Sequence, residues 1–210
     1  MPTVAELTGN PLQFFQDNIV LPSYSPNNRN QPEVYQMGIA DGWCGAPGMR
    51  QNWTGRTRYI GRAKPIVTVM NFANAVAPLF GAYWCPYEGN DLRGAFLGTA
   101  ANLAFTAKMD GCTFAVGSAL ADGSRFVCHI NSGGDQGRQR DMADRGDSPV
   151  AGDVGRRLFE PGAYRRRANN IYTQATTFGI RSPNGWRFYS QVNEFNSQAR
   201  TIRFLRVDTI

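Results

Sequence analysis

Residues 109–131 read MDGCTFAVGSALADGSRFVCHIN, and the reading of this stretch decides the fold expected for the chain. Asp110-Gly111 breaks whatever precedes it. CTFAVGS (112–118) and SRFVCHIN (124–131) are rich in apolar, β-branched and aromatic residues and read as strands, and ALADG between them is a hairpin signal. Period-2 alternation along the second strand puts Arg125, Val127, His129 and Asn131 on one face and Phe126, Cys128 and Ile130 on the other. The turn length then matters. A two-residue turn at Asp122-Gly123 sets His129 opposite Val116, roughly 13 Å along the strand from Cys112. A longer loop over 119–122 sets His129 directly opposite Cys112. A Cys112–His129 pair therefore requires the longer loop, a bulge, or strands that are not simple neighbours.

Working outward, residues 99–108 within LRGAFLGTAANLAFTAKM (92–109) are expected to form a helix, since Ala and Leu dominate and Phe96, Ala100, Leu103 and Met109 fall near a helical period. PIVTVMNF (65–72) and PLFGAYWCPY (78–87) read as strands, the second ended by Pro86, with a turn at Glu88-Gly89-Asn90-Asp91. Residues 1–20 suggest an amphipathic helix broken at Gly9-Asn10-Pro11. Residues 21–32 suggest an extended Pro/Asn-rich loop, and 33–62 have no clean periodicity. After the hairpin, 132–148 is expected to be a mobile loop rich in Gly, Asp and Arg. Residues 170–180, 186–195 and 200–207 alternate as strands. No internal repeat or domain boundary is visible, so 1–210 is read as one catalytic domain. The fold class expected is α/β of the α+β kind: a sandwich of mixed β-sheets flanked by helices and long loops.

Composition narrows the function classes. A chain of 210 residues buries roughly 70% of its unfolded surface and needs no staples. The cysteines, at 44, 85, 112 and 128, match neither CxxC pairs nor a zinc ribbon, and His129 is the only histidine, so no metal site is expected. No apolar run is long enough to span a bilayer, and the N-terminal stretch lacks the pattern of a general secretory signal. Net charge is +6, carried almost wholly by arginine, with Lys64 and Lys108 the only lysines. Arginine suits carboxylate and phosphate recognition, so an acidic partner or RNA is one reading and a merely solvated surface the other.

Cys112 follows Gly111 at the break before a strand, where a glycine admits backbone conformations closed to other residues and brings amide N–H groups close to a bound carbonyl. A thiol beside an imidazolium has its pKa lowered and becomes a nucleophile near neutral pH, so Cys112 is expected to react with iodoacetamide faster than the other cysteines. Cys128, on the opposite face from His129, reads as apolar filler, and Cys44 and Cys85 have no histidine left to partner them. A cysteine opening a strand is also an ordinary core residue, and that reading stands beside the catalytic one.

Gly111-Cys112, the apolar strand after it and a histidine on the next strand resemble the catalytic segment of the cytotoxic-necrotizing-factor deamidases. The Leu-x-Gly-Cys motif of that family is matched by Met109-Asp110-Gly111-Cys112, with methionine at the apolar position. The chain is similar at more points to the glutamine deamidase toxins of the Burkholderia lethal factor type. Phe105-Thr106 matches a threonine six residues ahead of the cysteine, Trp84-Cys85-Pro86-Tyr87 a Trp-x-Pro-aromatic pattern, and Tyr172 with Ala175-Thr176-Thr177 a late segment. The matches keep their order over roughly residues 80–190, and the first 75 residues carry none of them.

The resemblance implies a deamidase-like sandwich and a bacterial toxin or effector, secreted or injected, that acts in the host cytosol as a monomer. It implies conversion of a specific glutamine of a host protein to glutamate through a thioester on Cys112, with His129 as acid and base. It implies no cofactor. The host targets of the family are a translation-initiation helicase and Rho-type GTPases. Thr106 matches a position that orients the histidine through its hydroxyl or its carbonyl, although a helix threonine bonded to its own backbone is the plain alternative. Gly111 contributes to the oxyanion site, and Trp84 is a pocket wall or a core residue. Residues 132–148 and the arginines of 156–167 are candidates for target choice. Two other readings remain: another Cys–His enzyme (a transglutaminase or a cysteine protease), and an arginine-rich module for RNA or an acidic partner resting on Arg156, Arg157, Arg165, Arg166 and Arg167.

Overall fold

The computed structural model describes residues 2–22, 34–41, 60–62, 64–71 and 78–210. Two short helices, Val4–Gly9 (α1) and Pro11–Asp17 (α2), lead into strands Ile19–Pro22 (β1), Val34–Asp41 (β2), Ile60–Arg62 (β3), Ile66–Asn71 (β4) and Phe80–Cys85 (β5). Strands Leu92–Leu97 (β6), Leu103–Thr106 (β7), Thr113–Val116 (β8) and Arg125–Ile130 (β9) follow, then helix Gln136–Asp144 (α3). The chain continues with Arg157–Phe159 (β10), Pro161–Tyr164 (α4), Arg167–Ala168 (β11) and three long strands, Ile171–Ser182 (β12), Gly185–Asn196 (β13) and Thr201–Thr209 (β14).

These strands make two sheets. The larger runs β1-β4-β2-β5-β7-β12-β13-β14-β3, with β11 beside β12, and the smaller runs β10-β8-β9-β6. The larger sheet is mixed, with β1–β4, β5–β7 and β14–β3 parallel. Alternation along each strand sorts side chains into layers. Tyr83, Cys85, Ala104, Ala175 and Val192 of the larger sheet pack against Cys112, Phe114, Val116 and Val127 of the smaller one. The opposite face of the larger sheet carries Trp84, Phe105 and Phe178, covered by Val4, Leu7, Phe14 and Phe15 of the N-terminal helices. The outer face of the smaller sheet carries Ala115, Cys128 and Ile130, covered by Met142 and Ala143 of α3 and by Val150. The protein is thus a mixed α+β sandwich, mostly strand, layered helix–sheet–sheet–helix.

The N-terminus behaves as its punctuation directs. Thr3 and Glu6 form a capping box on α1, and Asn10, which ends α1, accepts from the Gln13 N–H and so starts α2, with Pro11 in the first turn. The strands expected at 65–72 and 78–87 are β4 and β5.

Two expectations are overturned. Residues 99–108 do not form a helix, because Leu103–Thr106 is strand β7, parallel to β5 and antiparallel to β12, with all four residues buried. A strand buried on both faces reads as a continuous apolar run, and periodicity alone cannot separate that from a buried helix. Residues 132–148 are not simply a loop, because Gln136–Asp144 is α3, capped by Asp135, whose carboxylate accepts from the Arg138 N–H. Its one apolar strip, Met142 and Ala143, was too short to show as amphipathic. Strands β2 and β3 lie in the stretch without visible periodicity. Most of the loop expected at 21–32, and Cys44, lie outside the described residues.

The hairpin adopts a register between the two expected ones. β8 pairs antiparallel with β9 so that Phe114 faces His129 and Thr113 faces Ile130. The loop closes with Leu120 N–H to the Ser124 carbonyl at 2.9 Å and Gly123 N–H to the Leu120 carbonyl at 2.9 Å, with Gly123 at φ +78°. Ser124 bonds back to Asp122 through both its N–H and its hydroxyl.

Candidate active site

Cys112 lies immediately before β8, two residues from Phe114, and shares the inter-sheet core with it. Phe114 is directly opposite His129. Cys112 and His129 therefore belong to the same face of the smaller sheet, with Cys112 diagonal to the histidine. No hydrogen bond joins their side chains, since His129 Nε2 is buried without a partner.

The segment around Cys112 is held from three sides. Met109 exchanges two backbone hydrogen bonds with Ala175 of β12, at 2.7 and 2.8 Å. The Tyr164 hydroxyl accepts from the Gly111 N–H at 3.0 Å and donates to the Cys112 carbonyl at 2.7 Å. Gln139 of α3, fully buried, donates to the Gly111 carbonyl at 2.7 Å and accepts from the Thr113 hydroxyl at 2.5 Å. Gly111 has φ +154°, a conformation that L side chains rarely adopt, so a glycine is required ahead of the cysteine.

His129 is oriented across the gap between the sheets. Thr106 of β7 projects from the larger sheet, and its hydroxyl lies 2.6 Å from His129 Nδ1 and 2.9 Å from the Cys85 carbonyl. A carbonyl can only accept, so the single hydroxyl proton goes to Cys85 and the Thr106 oxygen accepts from Nδ1–H. That assigns the tautomer with its proton on Nδ1 and a free lone pair on Nε2. Thr106 meets the histidine through its hydroxyl, and as a strand residue it has no helix backbone to bond back to.

Burial sets the charges. The Cys112 thiol, 4% exposed, is pushed up to about 12 by burial and by the Asp110 carboxylate, against the pull of the Asp110 N–H and the Arg165 guanidinium. Burial alone pushes His129 down to about 3. The resting pair is a neutral thiol and a neutral imidazole. This corrects the expectation of a thiolate beside an imidazolium: closing the site between two sheets strips both groups of the water that a charge needs. Cys128 is also pushed up to about 12 by burial, and it faces the α3 layer, away from His129, as expected.

Trp84 requires a second correction. It packs with Phe105 and the N-terminal helices on the far face of the larger sheet, so it is a core residue and no wall of the site. Tyr83 and Cys85, its neighbours in β5, point to the site side. The aromatic that reaches the histidine is Tyr87, beyond the Pro86 break, with ring centroids 4.9 Å apart and its hydroxyl accepting from Asn131 at 2.8 Å. The oxyanion expectation also narrows, because the Gly111 N–H is committed to Tyr164. Tyr164, Gln139 and Tyr87 escaped sequence reasoning. Only the proline before Tyr87 signalled that the strand's alternation stops there.

Three of the five arginines of 156–167 have partners within the protein. Arg156 pairs with Asp144, Arg157 donates to the terminal Ile210 carbonyl at 3.1 Å, and Arg167 lies 3.6 Å from Asp110. Among the described residues no group of three His, Cys, Asp or Glu side chains is arranged to hold a metal ion, and no helix is long and apolar enough to cross a membrane. No protein-family model and no curated protein matches the sequence.

Proposed function

We propose that this protein is a protein-glutamine deamidase in which Cys112 is the nucleophile, His129 the acid and base, and Thr106 the residue that orients the histidine. The observation that carries the reading is the Thr106–His129 bond of 2.6 Å, which leaves the Nε2 lone pair unpartnered on the face that bears Cys112. A buried polar atom without a partner calls for an explanation, and a base that is to receive the thiol proton supplies one. The matches around residues 84–87, 105–112 and 172–177 to toxins of the Burkholderia lethal factor type support the same assignment, including its sandwich fold.

The resting neutrality of the pair favours general-base catalysis over a preformed ion pair. As a substrate carboxamide meets the sulfur, Nε2 takes the thiol proton and the S–C bond forms. In this reading the Cys112 N–H is the backbone donor to the oxyanion. The C–N bond then breaks, with the Nε2 proton leaving on ammonia. Water attacks the thioester, gives a proton to Nε2, and the S–C bond breaks to return the thiol. The net reaction adds water to glutamine and yields glutamate and ammonia. No cofactor enters the scheme.

The proposed substrate is a host protein, a translation-initiation helicase or a Rho-type GTPase by resemblance, met in the host cytosol. Intact-mass and peptide mapping of host proteins exposed to wild type and to Cys112→Ser tests this. The expected result is a gain of about one mass unit at a glutamine, absent with the variant. Cleavage products identify a protease instead, and an amine adduct a transglutaminase.

A further inference from the structure

Arg165 directly follows α4, and its guanidinium lies between two glycines of different segments. A Cβ on Gly134 would collide with Arg165 Nη1, and a Cβ on Gly111 would come within 3.2 Å of Cζ. Both glycines have positive φ, +86° at Gly134 and +154° at Gly111, so the arginine packs on backbone where a side chain is doubly excluded. Its neighbour Tyr164 is buried and pinned by the Gly111 N–H and the Cys112 carbonyl, which fixes where the arginine starts. The guanidinium is thus seated beside the nucleophile's own loop.

Among the described residues no anion meets it there. The nearby carboxylates are engaged elsewhere: Asp110 faces Arg167 at 3.6 Å, Glu160 is held by Arg140 and Gln136, and Asp135 caps α3. Among the described residues no hydrogen bond or ion pair reaches the Arg165 side chain. A half-buried guanidinium with its donor fork unspent is a ready receptor for a carboxylate, which matches it in two parallel hydrogen bonds. Exposed Arg166 beside it adds charge of the same sign.

We propose that Arg165 is a specificity-determining residue that pairs with an Asp or Glu side chain flanking the target glutamine and so presents that glutamine to Cys112. The proposal rests on the deamidase reading of the site. It gives the substrate a chemical class: a glutamine in an acidic segment.

The test uses fluorescein-labelled glutamine peptides that differ only in flanking Glu, Ala or Lys. Binding is read by anisotropy on the full chain carrying Cys112→Ala, and turnover by ammonia release from the unsubstituted protein. The expected result is Glu-flanked peptides binding about tenfold tighter than Ala-flanked ones, a preference that weakens with salt. Arg165→Met should abolish the preference, Arg165→Lys retain part of it, and Arg165→Glu turn it toward Lys-flanked peptides, all with unchanged melting temperature. An acidic preference that survives Arg165→Met, a preference for neutral or basic flanks, or no binding of any peptide overturns the proposal. Ammonia release that fails with every glutamine substrate, while the anisotropy pattern holds, counts against the deamidase reading and not against Arg165 as the carboxylate receptor.

Discussion

The hydroxyl of Thr106 has one proton, and the Cys85 carbonyl takes it. Everything about the His129 tautomer follows from that count. Thr106→Val should therefore leave Nδ1–H buried without an acceptor, at a cost of about 1–3 kcal/mol in stability. It should also lower deamidation by about tenfold or more, because the ring is free to turn its lone pair from the thiol. Thr106→Ser should restore both, read by denaturant melts and ammonia release. A Thr106→Val protein with unchanged rate would remove Thr106 from the site. The thiol is equally specific in its expectation. Buried and protonated at neutral pH, native Cys112 should react with iodoacetamide more slowly at pH 7 than in denaturant, reversing the behaviour expected from the motif alone.

The pH dependence of stability belongs to His129. Its folded pKa of about 3 lies below the ordinary value of 6.5, so on acidification the unfolded chain binds the proton first. The stability held above pH 6.5 is then lost as the pH falls toward 3, by about 1.4 kcal/mol per unit. The lowered carboxylates of Asp122, Asp144 and Asp153 act in the same direction, but the first two are exposed, Asp153 is half-buried, and all three are common to any His129 variant. Subtracting the urea-melt profile of His129→Gln from that of wild type between pH 7 and 4 should isolate the histidine. Parallel profiles would mean that the ring is hydrated or charged in the folded protein.

At the scale of elements, α3 links the Cys112 loop to the outer layer. Its N-cap Asp135 sits beside Gly133 and Gly134, and its fourth residue is Gln139, which grips Gly111 and Thr113. Asp135→Ala should cost about 1 kcal/mol through the lost cap, and Asp135→Ser should recover most of it. Because the frayed turn includes Gln139's anchor, hydrogen exchange at Gly111–Thr113 should speed up in Asp135→Ala alone. Unchanged exchange there would show that Tyr164 holds the loop without help from α3. The elements also explain where reading failed. Leu103–Thr106 is buried on both faces because β5 and β12 flank it and layers cover it above and below, which leaves no in–out alternation to mark it as a strand.

Across the whole molecule the N-terminal helices are one of four layers and not an appendage. Phe15 is fully buried, stacked on Phe178 of β12 and tilted against Phe105 of β7, the strand that bears Thr106. Phe15→Ala should destabilise the protein by about 3–5 kcal/mol in a single unfolding transition. A second, earlier transition, or a loss under 1 kcal/mol, would mean that α1 and α2 dock loosely.

Local chemistry alone determined a good part of this protein. Period-2 alternation placed His129 opposite the face of Cys128, Pro and Gly ended strands where they stand, and Gly111 announced an unusual backbone before Cys112, because each of these depends on neighbours in the chain. The register of the hairpin, the strand identity of Thr106, the retreat of Trp84 into the far core and the seat of Arg165 between Gly111 and Gly134 depend on which surfaces meet. So do the charges of the pair. A cysteine and a histidine attract as ions in a polar cleft, and only the packing of one sheet on the other removes the water and leaves both neutral.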